Sequence, residues 1–151
     1  MAVATVTLDD LRRDSGEKLL TLTDEFGFAA LGAAWVYDRD AERWWYLLVS
    51  PMIDSQGPAW VYERLVALFR KLRLPEGISP LDIRIASPNE TGFRRIATVL
   101  RVDGTAHAFR NIEIAGIDIA SIHVYRMGPD DGQSDDRTSR FDARYQELMV
   151  A

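Results

Sequence analysis

The two histidines of the chain, His107 and His123, lie in "TAHAFRNIEIAGIDIASIHVYRM", residues 105–127, on either side of Ala115-Gly116. Both flanking runs read as strands, so the imidazoles either meet across a hairpin or point to opposite faces. Meeting beside Glu113 or Asp118 they could ligate a metal, since imidazole and carboxylate suit several divalent ions. The register decides. A two-residue Ala115-Gly116 loop pairs Ile114 with Ile117 and Ile112 with Ile119, and it separates the histidines. A three-residue loop with Gly116 left-handed sets them opposite one another. Turn chemistry favours the second, because Ala at positive φ is unfavourable. Hydrophobic matching favours the first, because the second would place Glu113 against Ile117 and Ile112 against Asp118. A slip by one residue turns a whole strand to the wrong face, so burial outweighs the turn. The histidines are expected on opposite faces, with no metal and no cofactor.

Little else in the chain points to catalysis. It has no cysteine, which removes disulfides, thiolate nucleophiles and cysteine-based zinc sites. No G-x-S-x-G, H-E-x-x-H, Walker loop or G-x-G-x-x-G is present. Gly27 to Gly32 has the spacing of a phosphate loop, but the Lys and Ser/Thr that would complete it do not follow. No catalytic residue stands out, and the reading leans away from an enzyme. Binding remains. Trp35, Trp44 and Trp60, with His107 as a polar group, could line a small-molecule pocket of the mostly apolar kind. Arg43 beside Trp44 and Trp45, or Arg64 beside Trp60 and Tyr62, could stack single-stranded nucleic acid. The formal net charge of −5 argues against that partner, which demands an excess of positive charge.

These residues need elements to position them. A chain of 151 residues, 47% hydrophobic and 27% charged, fits one soluble domain. The longest uncharged apolar stretch, Phe26 to Tyr37, is too short for a membrane helix, and the N-terminus does not resemble a secretory signal. Of the 18 basic residues only Lys18 and Lys71 are lysines, an arginine bias expected of GC-rich coding. A cytoplasmic, bacterial protein is expected.

Thr7 and Asp10 suggest a helix start before "LDDLRRDSGEKLLTL", with Gly16 as a weak point. A strand near Ala29–Tyr37 and a second, "RWWYLLVS", follow; the second has no polar side and should be covered on both faces. Ser55 caps the best amphipathic helix, "QGPAWVYERLVALFRKLRL", with Val61, Leu65, Leu68, Phe69 and Leu72 on one face. "LDIRIAS" alternates as a half-buried strand, with Leu81, Ile83 and Ile85 inward. "GFRRIATVLRV" fits either period. Its β-branched residues and the Asp103-Gly104 turn favour a strand.

The expected fold is therefore α+β: a single domain with a mostly antiparallel sheet, in the order α-β-β-α-β-β-β-β, and helices packed on it. Residues 1–127 form the domain, 128–140 a flexible acidic linker, and 141–151 a short amphipathic tail helix. If alternation holds throughout, Ile96, Thr98, Leu100, Val102, Phe109, Ile122 and Val124 form the core face. Ile112, Ile114, Ile117 and Ile119 then lie on the outer face and need cover, from a helix of the same chain or from a partner. With the tail stripe Phe141, Tyr145, Leu148 and Met149 they are the candidate interface. The expected function is a non-enzymatic protein-interaction module, homodimeric or bound to another protein; a small-molecule binder with a Trp-lined pocket is the alternative.

Overall fold

The computed structural model describes residues 7–99, 106–128 and 132–150, and the backbone alone at 98, 99, 106–111 and 134. The fold is α+β. Helix α1 spans Asp10–Glu25, strands β1 and β2 span Gly32–Asp38 and Arg43–Val49, and a short helix α2 spans Met52–Ser55. Then come α3 (Pro58–Lys71), a 3₁₀ turn (Pro80–Asp82), β3 (Ile83–Ala86) and α4 (Thr91–Val99). Strands β4 (Ala106–Ile114) and β5 (Ile117–Met127) and helix α5 (Ser134–Val150) complete it. The five strands form one sheet in the order β3-β2-β1-β5-β4. Among the described residues only β2 and β3 run parallel, joined by the α3 crossover that a parallel pair requires.

The caps differ slightly from those the sequence suggests. Asp9, not Thr7, caps α1, accepting from the Arg12 N–H at 2.8 Å. That bond holds the Asp9 carboxyl below its ordinary range. Gly57 at φ 86°, not Ser55, precedes Pro58 at the start of α3.

Two cores sandwich the sheet. On one face Trp35, Trp44, Tyr46, Leu48, Ile83 and Ile85 pack under α1, α3 and α5, meeting Leu19, Leu65, Leu68 and Phe141. On the other Val36, Leu47, Val49, Ile112, Ile114, Ile117, Ile119, Ile122 and Val124 pack with Phe93 and Ile96 of α4. Strand β2 contributes to both cores, as its two-sided apolar sequence requires.

Three expectations are corrected here. The "GFRRIATVLRV" run is helical over Thr91–Val99, with Phe93 and Ile96 buried one turn apart; Leu100, Val102 and the Asp103-Gly104 turn fall outside the described residues, as do the side chains of Thr98 and Phe109. Second, the alternation breaks. In the β1–β5 ladder Tyr37 pairs with Ser121 and the next residue, Asp38, with Ile119, so Ala120 is an extra residue in a β-bulge. A bulge resets which parity faces which side. Ile117 and Ile119 before it, and Ile122 and Val124 after it, therefore share one face. Ile112, Ile114, Ile117 and Ile119 are between 0% and 7% exposed beneath α4, so they are core and not an outer contact patch.

Third, the tail helix begins at Ser134 rather than near Phe141, so the second half of the expected linker is helical. Asp135 and Asp136 sit in its first turn, where carboxylates offset the positive end of the helix dipole. The stripe docks on its own chain. Phe141 is 1% exposed, edge-on to Phe28 at 5.2 Å and to Trp60 at 6.1 Å. Asp142 pairs with Arg64, whose guanidinium also overlies Tyr145. Tyr145 and Leu148 are half-buried, and Met149 remains exposed. Among the described residues no helix is long and apolar enough to cross a membrane.

Candidate functional site

The β4–β5 hairpin takes the two-residue loop. Ile114 pairs with Ile117 and Ile112 with Ile119, and Ala115 accepts φ 52° beside Gly116 at φ 79°. Burial of the isoleucines thus overrides the cost of a left-handed alanine. Further along, the ladder shifts, pairing His107 with Ile122 and Ala106 with His123. The histidines are not cross-strand partners. His123 is 4% exposed on the α1 side of the sheet, its ring edge-on to Tyr125 at 5.0 Å. The His107 side chain lies outside the described residues.

Of the three tryptophans nominated for a pocket, Trp35 and Trp44 belong to the α1-side core and Trp60 packs against it. Trp35 is fully buried, edge-on to Tyr46, and its Nε1–H donates to the Arg12 carbonyl at 2.8 Å. Trp44 packs edge-on against Tyr37. Trp60 is half-buried, with the Arg64 guanidinium 3.9 Å above its ring. The Tyr46 hydroxyl donates to the Gly16 carbonyl and the Tyr125 hydroxyl to that of Arg13. Burial pushes both phenols well above their ordinary pKa, so they remain neutral donors.

A groove does exist, at the open edge of the sheet. It has a volume of about 670 Å³ and wraps around β3, between α3 on one side and Trp45 on the other. Its walls are Tyr62, Val66, Phe69 and Arg70 of α3, Pro80 and Leu81 of the 3₁₀ turn, Ile83 and Arg84 of β3, and Trp45 of β2. A smaller hollow of about 250 Å³ is lined by Ala67, Arg70, Lys71 and Met149. Arg70 thus lines both depressions.

Local sequence explains the shape. Pro80 fixes a turn whose Ser79 and Asp82 side chains each accept a backbone N–H, one from Leu81 and the other from Ser79 itself. That tight turn spends Leu81 outside the strand, so a residue expected inward is 81% exposed. Trp45 is held by its Nε1–H to Asp38 at 3.0 Å and by two guanidinium groups over its ring, Arg43 at 3.9 Å and Arg84 at 4.5 Å. Arg43 is tied in turn to Asp82 at 2.7 Å. The outer edge of β3 has its donors occupied: the Ile85 N–H bonds the Tyr62 hydroxyl at 2.8 Å and the Ile83 N–H bonds the Pro80 carbonyl. An added strand would find no free donors there, which is how natural edges avoid pairing.

Chemically the groove offers an apolar floor, a phenol and two guanidiniums. Arginine does not deprotonate in proteins, so these groups hold anions and are poor proton acceptors. Sequence reasoning missed Trp45, Tyr62, Arg70, Leu81 and Arg84 as a set. The one signal available was Leu81 directly after Pro80, where a strand would have to begin with a turn. Among the described residues no group of three or more His, Asp or Glu side chains is placed to hold a metal ion. No known family model, curated protein or solved structure matches the chain.

Proposed function

We propose that the protein is a non-enzymatic protein-interaction module whose contact surface is the groove around β3. The observation that carries this reading is Leu81, an exposed leucine on a rigid turn at the lip of an apolar trough. A large apolar side chain presented this way, with Val66 and Phe69 behind it, is a ready anchor for a partner. The trough is open along its length, whereas small-molecule sites enclose most of their ligand. A polypeptide segment suits it better. Bases stacking on Trp45 in the groove, or on Trp60 outside it, would compete with the guanidiniums already over those rings, which weighs against the nucleic-acid reading.

The test is a random-peptide display selection on the wild-type chain and on Leu81→Asp, a variant whose exposed position leaves the fold intact. Convergent peptides on the wild type that are lost on the variant are expected. No convergence, or the same peptides on both, would overturn the assignment.

A further inference from the structure

Resting on that reading, we infer that the segment the groove takes is acidic, with an apolar side chain seated against Leu81, Val66 and Phe69 and carboxylates facing Arg84 and Arg70. Charge complementarity carries the argument. The residues lining the groove and the neighbouring hollow include Arg70, Lys71 and Arg84 and no carboxylate. Of the two acids adjacent in sequence to lining residues, Asp82 is already engaged by Arg43 and by the Ser79 N–H, and Glu63 does not line the groove. Among the described residues neither Arg70 nor Arg84 has an ion-pair partner, although the chain as a whole carries a net charge of −5. Among the described residues Arg12, Arg13, Arg39, Arg43, Arg64, Arg126 and Arg144 are paired with acids; those at the groove are not.

Two further features prepare the site for a carboxylate. Stacking on Trp45 holds the Arg84 guanidinium in place before any partner arrives, which lowers the entropy cost of forming a planar, two-pronged contact. The hydroxyl of Tyr62, a lining residue, accepts from the Ile85 N–H and keeps its own proton as a donor. The overall negative charge repels an acidic partner only at long range, and screening removes that beyond about 8 Å in physiological salt. Recognition is therefore local, made at contact rather than by steering. The hollow that shares Arg70, with Lys71 and Met149, adds further cationic and apolar side chains.

The experiment uses the full chain and labelled peptide pools with a fixed central leucine and flanks drawn from acidic, neutral or basic residues, followed by fluorescence anisotropy. The acidic pool is expected to bind best, and Arg70→Glu/Arg84→Glu is expected to weaken it about tenfold, the scale of two exposed ion pairs. If the neutral pool binds as well, is indifferent to the charge reversal and is lost on Leu81→Asp, the groove stands but its acidic preference is wrong. A preference for the basic pool also rejects it. If no pool responds to any of the variants, the groove itself is not the contact surface. A phosphorylated pool bound far more tightly than the acidic one would replace carboxylate by phosphate and overturn the assignment as stated.

Discussion

Gly16 shows how a single residue can be misread without its distant neighbours. Within α1 a glycine looks like a flaw, since alanine there would favour the helix by about 1 kcal/mol. In the fold, Gly16 is where the sheet's aromatic side chains reach the helix backbone. Trp35 and Tyr46 donate to the carbonyls of Arg12 and Gly16, and Tyr125 to that of Arg13. A Cβ at Gly16 would fall 2.5 Å from the Tyr125 hydroxyl and 2.7 Å from Trp35 Nε1. Trp35 is fully buried and cannot yield without disturbing its own bond. Each such hydrogen bond is worth about 1 kcal/mol net, and overpacking adds about 1–3 kcal/mol. Gly16→Ala should therefore lower stability by about 1–3 kcal/mol despite its better propensity. Urea denaturation followed by tryptophan fluorescence measures this; a variant as stable as the parent would contradict the packing described.

Among elements, α4 is where sequence and structure part. Helices α1 and α3 and strands β1, β2 and β3 were legible because each shows one clear period or an unbroken apolar run. Residues 91–99 show both periods. Their β-branched content favours a strand only if no other element can use a helical face, and the sequence does not reveal what lies opposite. What lies opposite is the isoleucine surface of β4 and β5, made continuous by the Ala120 bulge, which no local signal announces. The contact is close. A Cβ on Gly92 would overlap the Glu113 carbonyl oxygen and crowd Ile114. Backbone cannot move aside as a side-chain tip can, so Gly92→Ala must lift α4 from β4 and wet Phe93, Ile96 and Ile114. The expected cost is about 3 kcal/mol, at the upper end for an overpacked site. It should come with new binding of a hydrophobic dye. A variant with parental stability and no dye binding would mean that α4 does not cover this face.

For the whole molecule, among the described residues the sheet divides the labour unequally: three long helices cover one side, and α4 covers the other. The candidate groove opens where that cover stops, at the β3 edge, and it was not legible because it joins residues from α3, β2, β3 and a turn that share no sequence pattern. The docking of the tail was legible in part. Its apolar stripe announced a helix that must pack, but acidic composition disguised the first turns as linker. Once docked, α5 is a structural part of the core. Phe141 fills the space between Phe28 and Trp60, Asp142 holds Arg64, and the buried Arg137 donates to the Ala29 carbonyl at 2.8 Å. This sets the outcome of cutting the chain. If α5 were an interface helix, removal after Met127 would leave a sound monomer. With α5 in the core, removal uncovers Phe28 and leaves Arg64 half-buried beside an open cavity. Replacing a buried phenylalanine by alanine costs about 3–5 kcal/mol, a large share of the 5–15 kcal/mol typical of a domain. Phe141→Ala should therefore remain folded but lose about that amount in denaturant, and the chain ending at Met127 should aggregate or unfold by light scattering and circular dichroism. A truncated chain that stays monomeric with an unshifted melting temperature would place α5 outside the core, and its stripe would again be available to a partner.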